Sequence, residues 1–179
     1  MTSKARGSIT ASTGDLVRSV AILVGVLAAI ALVVTSIGRP DSYERETVDY
    51  QRALAQVRAD YPYPVLAPAS LPEGWRATSV GHESDGAGNR WRLGFMIGDD
   101  GYVGLEQSDG EIVSYLSERM REFTDDGTSQ IDGVRWDRMI QSARPADRAL
   151  VRVDDDVVTI VRGTEPYDVL ERFVAGLAS

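Results

Sequence analysis

The chain has 179 residues, with 19 basic and 27 acidic side chains, a formal net charge of −8, one histidine and no cysteine. Its acidic balance argues against nucleic acid and against adhesion to anionic lipid, since both need a basic footprint. Without cysteine there is no disulfide, no thiolate chemistry and no lipid-modified cysteine anchor, so stability must come from an ordinary apolar core.

Residues 1–15 form a short polar tail that is read as cytoplasmic. Val20 to Ile37 follows as an uncharged apolar run of 18 residues, roughly 27 Å of helix at about 1.5 Å per residue, close to a bilayer core. Leu16 and Val17 complete a transmembrane span over 16–37, and every face of the run Val20–Ile37 is apolar except for Thr35 and Ser36. A cleaved signal peptide fits less well, because the run is too long and Ser36-x-Gly38 is a poor small-x-small site. Lys4, Arg6 and Arg18 precede the apolar run, while Arg39, Arg45 and Arg52 follow it, so the basic count is near balance. The short tail is the easier end to retain, which predicts a cytoplasmic N-terminus, an extracytoplasmic bulk and a plasma-membrane location. Gly25-x-x-x-Ala29 is a small-xxx-small pattern that predicts a weak homodimer through the bilayer. With Lys4, Arg6, Arg18 and Asp15 set aside, 16 basic and 26 acidic residues remain, a formal charge of −10 for the outer part.

Residues 38–47 (GRPDSYERET) read as a stalk, and 48–179 as one α+β domain of ordinary size. A helix is expected over Val48–Asp60, with Tyr50, Leu54, Val57 and Tyr61 on one face. Prolines at 62, 64, 68 and 72 then forbid helix or central strand and predict an extended strap, packed on its own domain through Val65, Leu66 and Leu71. Period two begins after Gly74: Trp75–Glu83, Arg90–Ile97 and Tyr102–Gln107 read as a three-stranded meander. Ser108-x-x-Glu111 reads as a capping box opening a helix with Ile112, Leu116, Met120 and Phe123 buried, ended by Asp125-Asp126-Gly127. The order then recurs, with strands at Val134–Gln141, Ala149–Val153 and Val157–Arg162, and a final helix capped by Thr164 that turns Val169, Leu170, Phe173, Val174 and Leu177 inward. The expected architecture is a mostly antiparallel sheet with helices on one face and a βββα pattern occurring twice.

Little in this pattern points to chemistry. His82 stands alone, so a zinc site or a hydrolase triad has no local support, and it reads as a solvated strand residue. The pairs and triplet at Asp99-Asp100, Asp125-Asp126 and Asp154-Asp155-Asp156 occupy turns, and Asp85 to Asn89 lacks the spacing of a calcium loop. Gly86-x-Gly88 precedes no helix, which removes a phosphate-binding loop. Trp75, Trp91 and Trp136 each adjoin an arginine, and packing accounts for them more simply than carbohydrate or lipid-head recognition. No metal, cofactor or catalytic residue is expected.

A set of motifs, V-D-Y at Val48–Tyr50, Y-P-V-L-A-P at Tyr63–Pro68, L-P-x-G-W-R at Leu71–Arg76, L-G-F at Leu93–Phe95 and D-G-x-x-W at Asp132–Trp136, resembles an actinobacterial family of single-pass membrane proteins known as a domain of unknown function. The near absence of lysine, with Lys4 the only one, agrees with a GC-rich source. The resemblance implies a cell-envelope protein and carries no activity; the motif residues Leu71, Pro72, Gly74, Trp75, Gly94, Phe95, Gly133 and Trp136 are read as structural. L-P-x-G-W after a membrane helix is also similar to the sensor or carrier domains of bacterial anti-sigma factors, although the tail here is too short to hold a sigma factor. Three functions remain: a non-enzymatic binding or interaction domain for an unknown envelope protein, a carrier or sensor of a small apolar ligand or lipid held among Phe95, Leu105, Leu116 and Phe173, and, least supported, an enzyme using carboxylates alone.

Overall fold

The computed structural model describes residues 23–24, 47–142 and 146–179. The chain divides into two compact units, 1–44 and 45–179, and the sheet and its helices belong to the second. No helix among the described residues is long and apolar enough to cross a membrane. The predicted span, apart from Leu23 and Val24, and the Gly25/Ala29 pattern lie outside those residues.

The second unit begins with α1 (Gln51–Asp60) and a proline-rich strap that ends in β1 (Ala67–Pro68). Strands β2 (Trp75–Asp85), β3 (Gly88–Ile97) and β4 (Gly101–Ser108) lead to α2 (Ile112–Arg119). Then come β5 (Phe123–Ile131), β6 (Val134–Gln141), β7 (Arg148–Asp154), β8 (Val157–Gly163), α3 (Tyr167–Ala175) and β9 (Leu177–Ala178). Seven strands form one antiparallel sheet in the order β2-β3-β4-β8-β7-β6-β5, while β1 pairs separately with β9. The fold is therefore α+β with a mostly antiparallel sheet.

The expected placement of every helix on one face is not what forms. Tyr50 just before α1 and its Leu54 and Val57, with Leu170, Phe173 and Val174 of α3, pack with Trp91, Phe95, Leu105, Leu150 and Val161 in one core. In contrast, α2 packs its Tyr115, Ile112 and Leu116 with Ala149, Val151, Val158 and Ile160, whose side chains leave the opposite face. The reason lies in the central strands: β7 and β8 carry the runs Ala149-Leu150-Val151 and Val157–Val161, apolar at successive positions but for Thr159, and such runs need cover on both sides.

This placement also settles the recurring pattern. The last strands of the two halves, β4 and β8, are antiparallel neighbours, Leu105 facing Val161. Only a two-fold axis normal to the sheet would exchange them, and such an axis keeps each helix on its own face. Because α2 and α3 follow those strands on opposite faces, the recurrence is not a symmetric duplication. The second half also has four strands rather than three. Asp125-Asp126-Gly127, expected to end a helix, is a bulge inside β5, with register shifting between Asp125 and Thr128. Helix α2 stops at Arg119, its N-cap is Glu111 accepting from Ser114 N at 2.8 Å, and Ser108 Oγ accepts instead from Gly110 N. Thr164 does not cap α3; its hydroxyl accepts from Tyr102 N at 3.0 Å and prolongs the β4–β8 ladder.

The first face is organised by its aromatic side chains and by the strap. Trp75 stacks on Phe173 with ring centroids 5.5 Å apart, and Phe95 meets both Phe173 and Tyr50. Four prolines leave the strap without the donors needed to join a sheet, so side chains supply its partners. Trp91 and Gln107 are cross-strand neighbours on β3 and β4. The indole of Trp91 donates to Leu66 O at 3.0 Å, and Gln107 Oε1 accepts from Leu66 N at 2.7 Å. Gln107 Nε2 also donates to Pro64 O and Thr159 Oγ1. Arg58 adds bonds to Val65 O and Ala178 O, joining α1, strap and β9.

Gln107→Leu keeps the volume but leaves Leu66 N and Pro64 O without these partners, so urea unfolding of the full chain is expected to show a loss of about 2 kcal/mol with an unchanged m-value. A loss below about 0.5 kcal/mol would mean that the strap is held by its apolar contacts alone.

Candidate functional site

A groove of about 710 Å³ opens on the first face, between the strap and the hairpin joining β7 to β8. Pro62, Tyr63, Pro64 and Leu66 form the strap-side wall, and Val157, Thr159 and Trp136 come from the sheet. Its rim is acidic, with Asp109 after β4 and Asp154-Asp155-Asp156 at the β7–β8 turn. The turn follows from local chemistry: Asp155 adopts φ of 49°, a conformation aspartate tolerates better than most residues, and Asp154 pairs with Val157.

Most polar groups of this groove are committed to the fold. Asp109 accepts from both Asn89 N and Asn89 Nδ2, the latter at 2.7 Å. Asp154 is ion-paired with Arg152. Gln107 is 2 % exposed and spends its amide on the strap and Thr159. Burial raises the Tyr63 hydroxyl well above its ordinary pKa, and nearby Asp109 raises it further, so it stays a neutral donor. Asp155 and Asp156 have no partner among the described residues. Also among those residues, no group of three or more histidine, cysteine, aspartate or glutamate side chains is placed to hold a metal ion.

Two further polar clusters lie outside the groove. On the opposite face, Glu106 is 6 % exposed and is surrounded by the Tyr115 hydroxyl at 3.0 Å, Arg119 Nε at 3.1 Å and Arg162 Nη2 at 3.3 Å. Burial, with the neighbouring Glu106 carboxylate, pushes the Tyr115 phenol up to about 12. Tyr115 and Arg119 are one helical turn apart, so the cluster works as the polar dock of α2 on the sheet. On the first face, Arg138 Nε donates to Ser129 Oγ, Ser129 Oγ donates to Glu171 Oε1 at 2.6 Å, and Arg138 also pairs with Glu171. Arg138 stacks over Tyr167 at 4.6 Å from the ring centroid. This set ties α3 to β5 and β6.

The motif residues do not converge on one site. Leu71 packs against the first core, Pro72 O accepts from Trp75 N at 3.1 Å, and Gly74 has φ of +80°. Pro72 and Trp75 line an apolar cleft of about 380 Å³ beside Ile97, Val169 and Phe173. Gly94 and Gly104 are cross-strand neighbours; a Cβ on Gly94 would collide with Ser79 Oγ, and one on Gly104 would lie 2.8 Å from the Tyr102 hydroxyl. The tyrosine covers the space that their missing side chains leave. Phe95 is fully buried in the first core. Gly133, with φ of 80° beside Asp132 at 50°, forms the two-residue turn between β5 and β6. That Asp-Gly pair is the signal that would have revealed β5. Trp136, read from sequence as packing, lines the acidic groove, as do Tyr63, Pro64 and Leu66 of the Y-P-V-L-A-P motif.

The pocket expected of a carrier does not assemble from Phe95, Leu105, Leu116 and Phe173. The first, second and fourth are close-packed in the first core, whereas Leu116 packs on the other side of the sheet. His82 is exposed on β2. The residues that sequence reasoning missed are Glu106, Gln107, Arg138 and Glu171: polar side chains inside elements that the hydrophobic pattern treats as mere spacing.

The hydrogen bond from Ser129 and the Arg138 guanidinium hold the Glu171 carboxyl below its usual range, against a smaller opposing effect of burial. A depressed folded pKa gives stability that is complete above the ordinary carboxylate range and is lost as pH falls through the lowered value. The acid limb of the stability curve is therefore expected to flatten in Glu171→Gln, read by urea midpoints from pH 6 down to about 3. An acid limb unchanged by the substitution would assign that slope to other carboxylates.

No curated protein and no solved structure matches this chain. Residues 8–177 match DUF4245, described as a protein of unknown function, and on that coverage the chain belongs to the DUF4245 family.

Proposed function

We propose that this protein is a single-pass, membrane-anchored cell-envelope protein whose C-terminal domain, outside the cytoplasm, is a non-enzymatic binding module. The apolar run at 20–37 supports the anchor over 16–37, with residues 1–15 inside and 38–179 outside. The observation that carries the binding reading is the groove of about 710 Å³, which has the size of a ligand site and is walled by a strap fixed in place through Trp91 and Gln107. An enzyme working through carboxylates needs two acids in separated environments. Here Asp109 and Asp154 are tied to Asn89 and Arg152, and Asp155 and Asp156 are adjacent on one exposed turn.

The chain has no cysteine, so single cysteines report cleanly. Ser179→Cys, at a residue that also lines the groove, and Val113→Cys on the exposed side of α2 are both expected to react with a membrane-impermeant maleimide in intact cells, while Ser3→Cys reacts only after permeabilisation. The Ser179→Cys site is expected to label more slowly in cells than in the purified chain, relative to Val113→Cys, because its groove is occupied. Labelling of Ser3→Cys alone in intact cells would reverse the topology, and equal relative rates at Ser179→Cys would remove the occupant.

A second reading, carriage of an apolar molecule, rests on the cleft between Trp75, Ile97, Val169 and Phe173. Mass spectrometry of the chain extracted under denaturing conditions distinguishes the two. On the binding reading no stoichiometric apolar molecule other than bilayer lipid is released, and a one-to-one apolar species would establish the carrier.

A further inference from the structure

Resting on the binding reading, the groove has two features that the fold leaves unanswered, and both point to the same kind of ligand. Trp136 lines the groove although it is only 4 % exposed, and its indole N–H has no acceptor among the described residues. The contrast with Trp91 is direct: also buried, Trp91 spends its N–H on Leu66 O. Among the described residues the buried side-chain nitrogens without a partner are Arg76 Nε and Arg90 Nε, so the Trp136 N–H instead reaches the groove, where it can donate to an incoming acceptor. At the rim, Asp155 and Asp156 are carboxylates without partners among the described residues, beside two others already engaged by Asn89 and Arg152. They give the rim two negative charges that no group among the described residues offsets.

We propose that the groove takes a lysine- or arginine-bearing segment of a partner polypeptide. A backbone carbonyl of the segment accepts from the Trp136 indole, and its ammonium or guanidinium group lies between Asp155 and Asp156. A polypeptide supplies acceptor and cation on one chain, and its methylenes cover the apolar wall made by Pro62, Pro64 and Leu66. Apart from Ser179, the other wall polar groups are committed, so the groove offers the Trp136 N–H and two negative charges, the complement of such a segment. A formal charge of −8 over the chain attracts it from a distance.

The test titrates the full chain, in neutral-detergent micelles, into a fluorescein-labelled, end-blocked hexapeptide of alternating lysine and serine, with the same peptide acetylated at every lysine as comparison. The lysine peptide is expected to bind more weakly as salt rises, and the acetylated peptide to bind about fivefold less tightly. Asp155→Asn/Asp156→Asn, on an exposed turn, is expected to weaken the lysine peptide by about fivefold and leave the acetylated one unchanged. Trp136→Phe keeps an aromatic ring and removes the N–H, and is expected to weaken both peptides by roughly threefold, with an unchanged thermal midpoint showing that it folds.

Equal binding of the two peptides, or an unaltered lysine-peptide affinity in the aspartate variant, overturns the cationic ligand. If Trp136→Phe still weakens both peptides in that case, the groove remains a binding site and the functional reading survives. Failure of both peptides to bind, together with no cysteine protection in cells, overturns the ligand and the reading alike.

Discussion

One backbone residue, Leu66, is held at both its N–H and its carbonyl by side chains from the sheet, and the arrangement of the first face depends on that grip. A segment with prolines at 62, 64, 68 and 72 is stiff but has few donors, so it cannot be fixed by strand pairing. Trp91 and Gln107 substitute for a neighbouring strand. They are opposite one another across β3 and β4, which places an acceptor and a donor at the spacing a single residue requires. With Leu66 fixed, the chain can deliver Ala67 and Pro68 to β9, and α1 is drawn down through Arg58 onto the same tail. Each bond is worth about 1 kcal/mol net, but leaving either Leu66 group buried and unmatched would cost about 1–3 kcal/mol, and the second figure is why the pair is coupled to the strap.

The sheet imposes the other constraint. Its outer strands β2 and β3 are polar on the second face, where Glu83 meets Arg90 and Arg92, while β7 and β8 are apolar on both faces. Cover on the second face is needed only over the central strands, and α2 supplies it within a loop between β4 and β5. Glu106 makes that docking specific. A carboxylate 6 % exposed is costly unless compensated, and the turn of α2 that carries Tyr115 and Arg119 brings two of its three partners at once.

Much of this was legible from residue order. The burial stripe Tyr50, Leu54, Val57 and Tyr61, the strap, the β2-β3-β4 meander and the inward set Leu170, Phe173 and Val174 all occur as the periodicity predicts. What failed did so for identifiable reasons. Strand β5 was hidden because its middle, Thr124 to Thr128, is exposed and bulged, so neither alternation nor apolar content marked it. The face taken by α2 was misjudged because amphipathic pattern fixes which side of a helix is buried and not which side of the sheet receives it. Two-sided burial of β8 was in fact written in Val157–Val161 as a run apolar but for Thr159, a signal that outweighs the count of helices.

The groove is less legible than the fold, because nothing within any one element encodes it. It exists where the strap, turned toward β9, leaves a gap lined by Thr159, Val157 and Trp136, and where α3 packs on the remainder of the same face. Its one distinctive donor, the Trp136 indole, is brought there by the Asp132-Gly133 turn, which sets β6 in register so that Trp136 opposes Ser129 and faces the first core. The D-G-x-x-W spacing thus joins a turn requirement to a buried indole four residues later. A motif read as structural from sequence has a structural half and a second half that reaches the groove, and only the sheet's register separates the two.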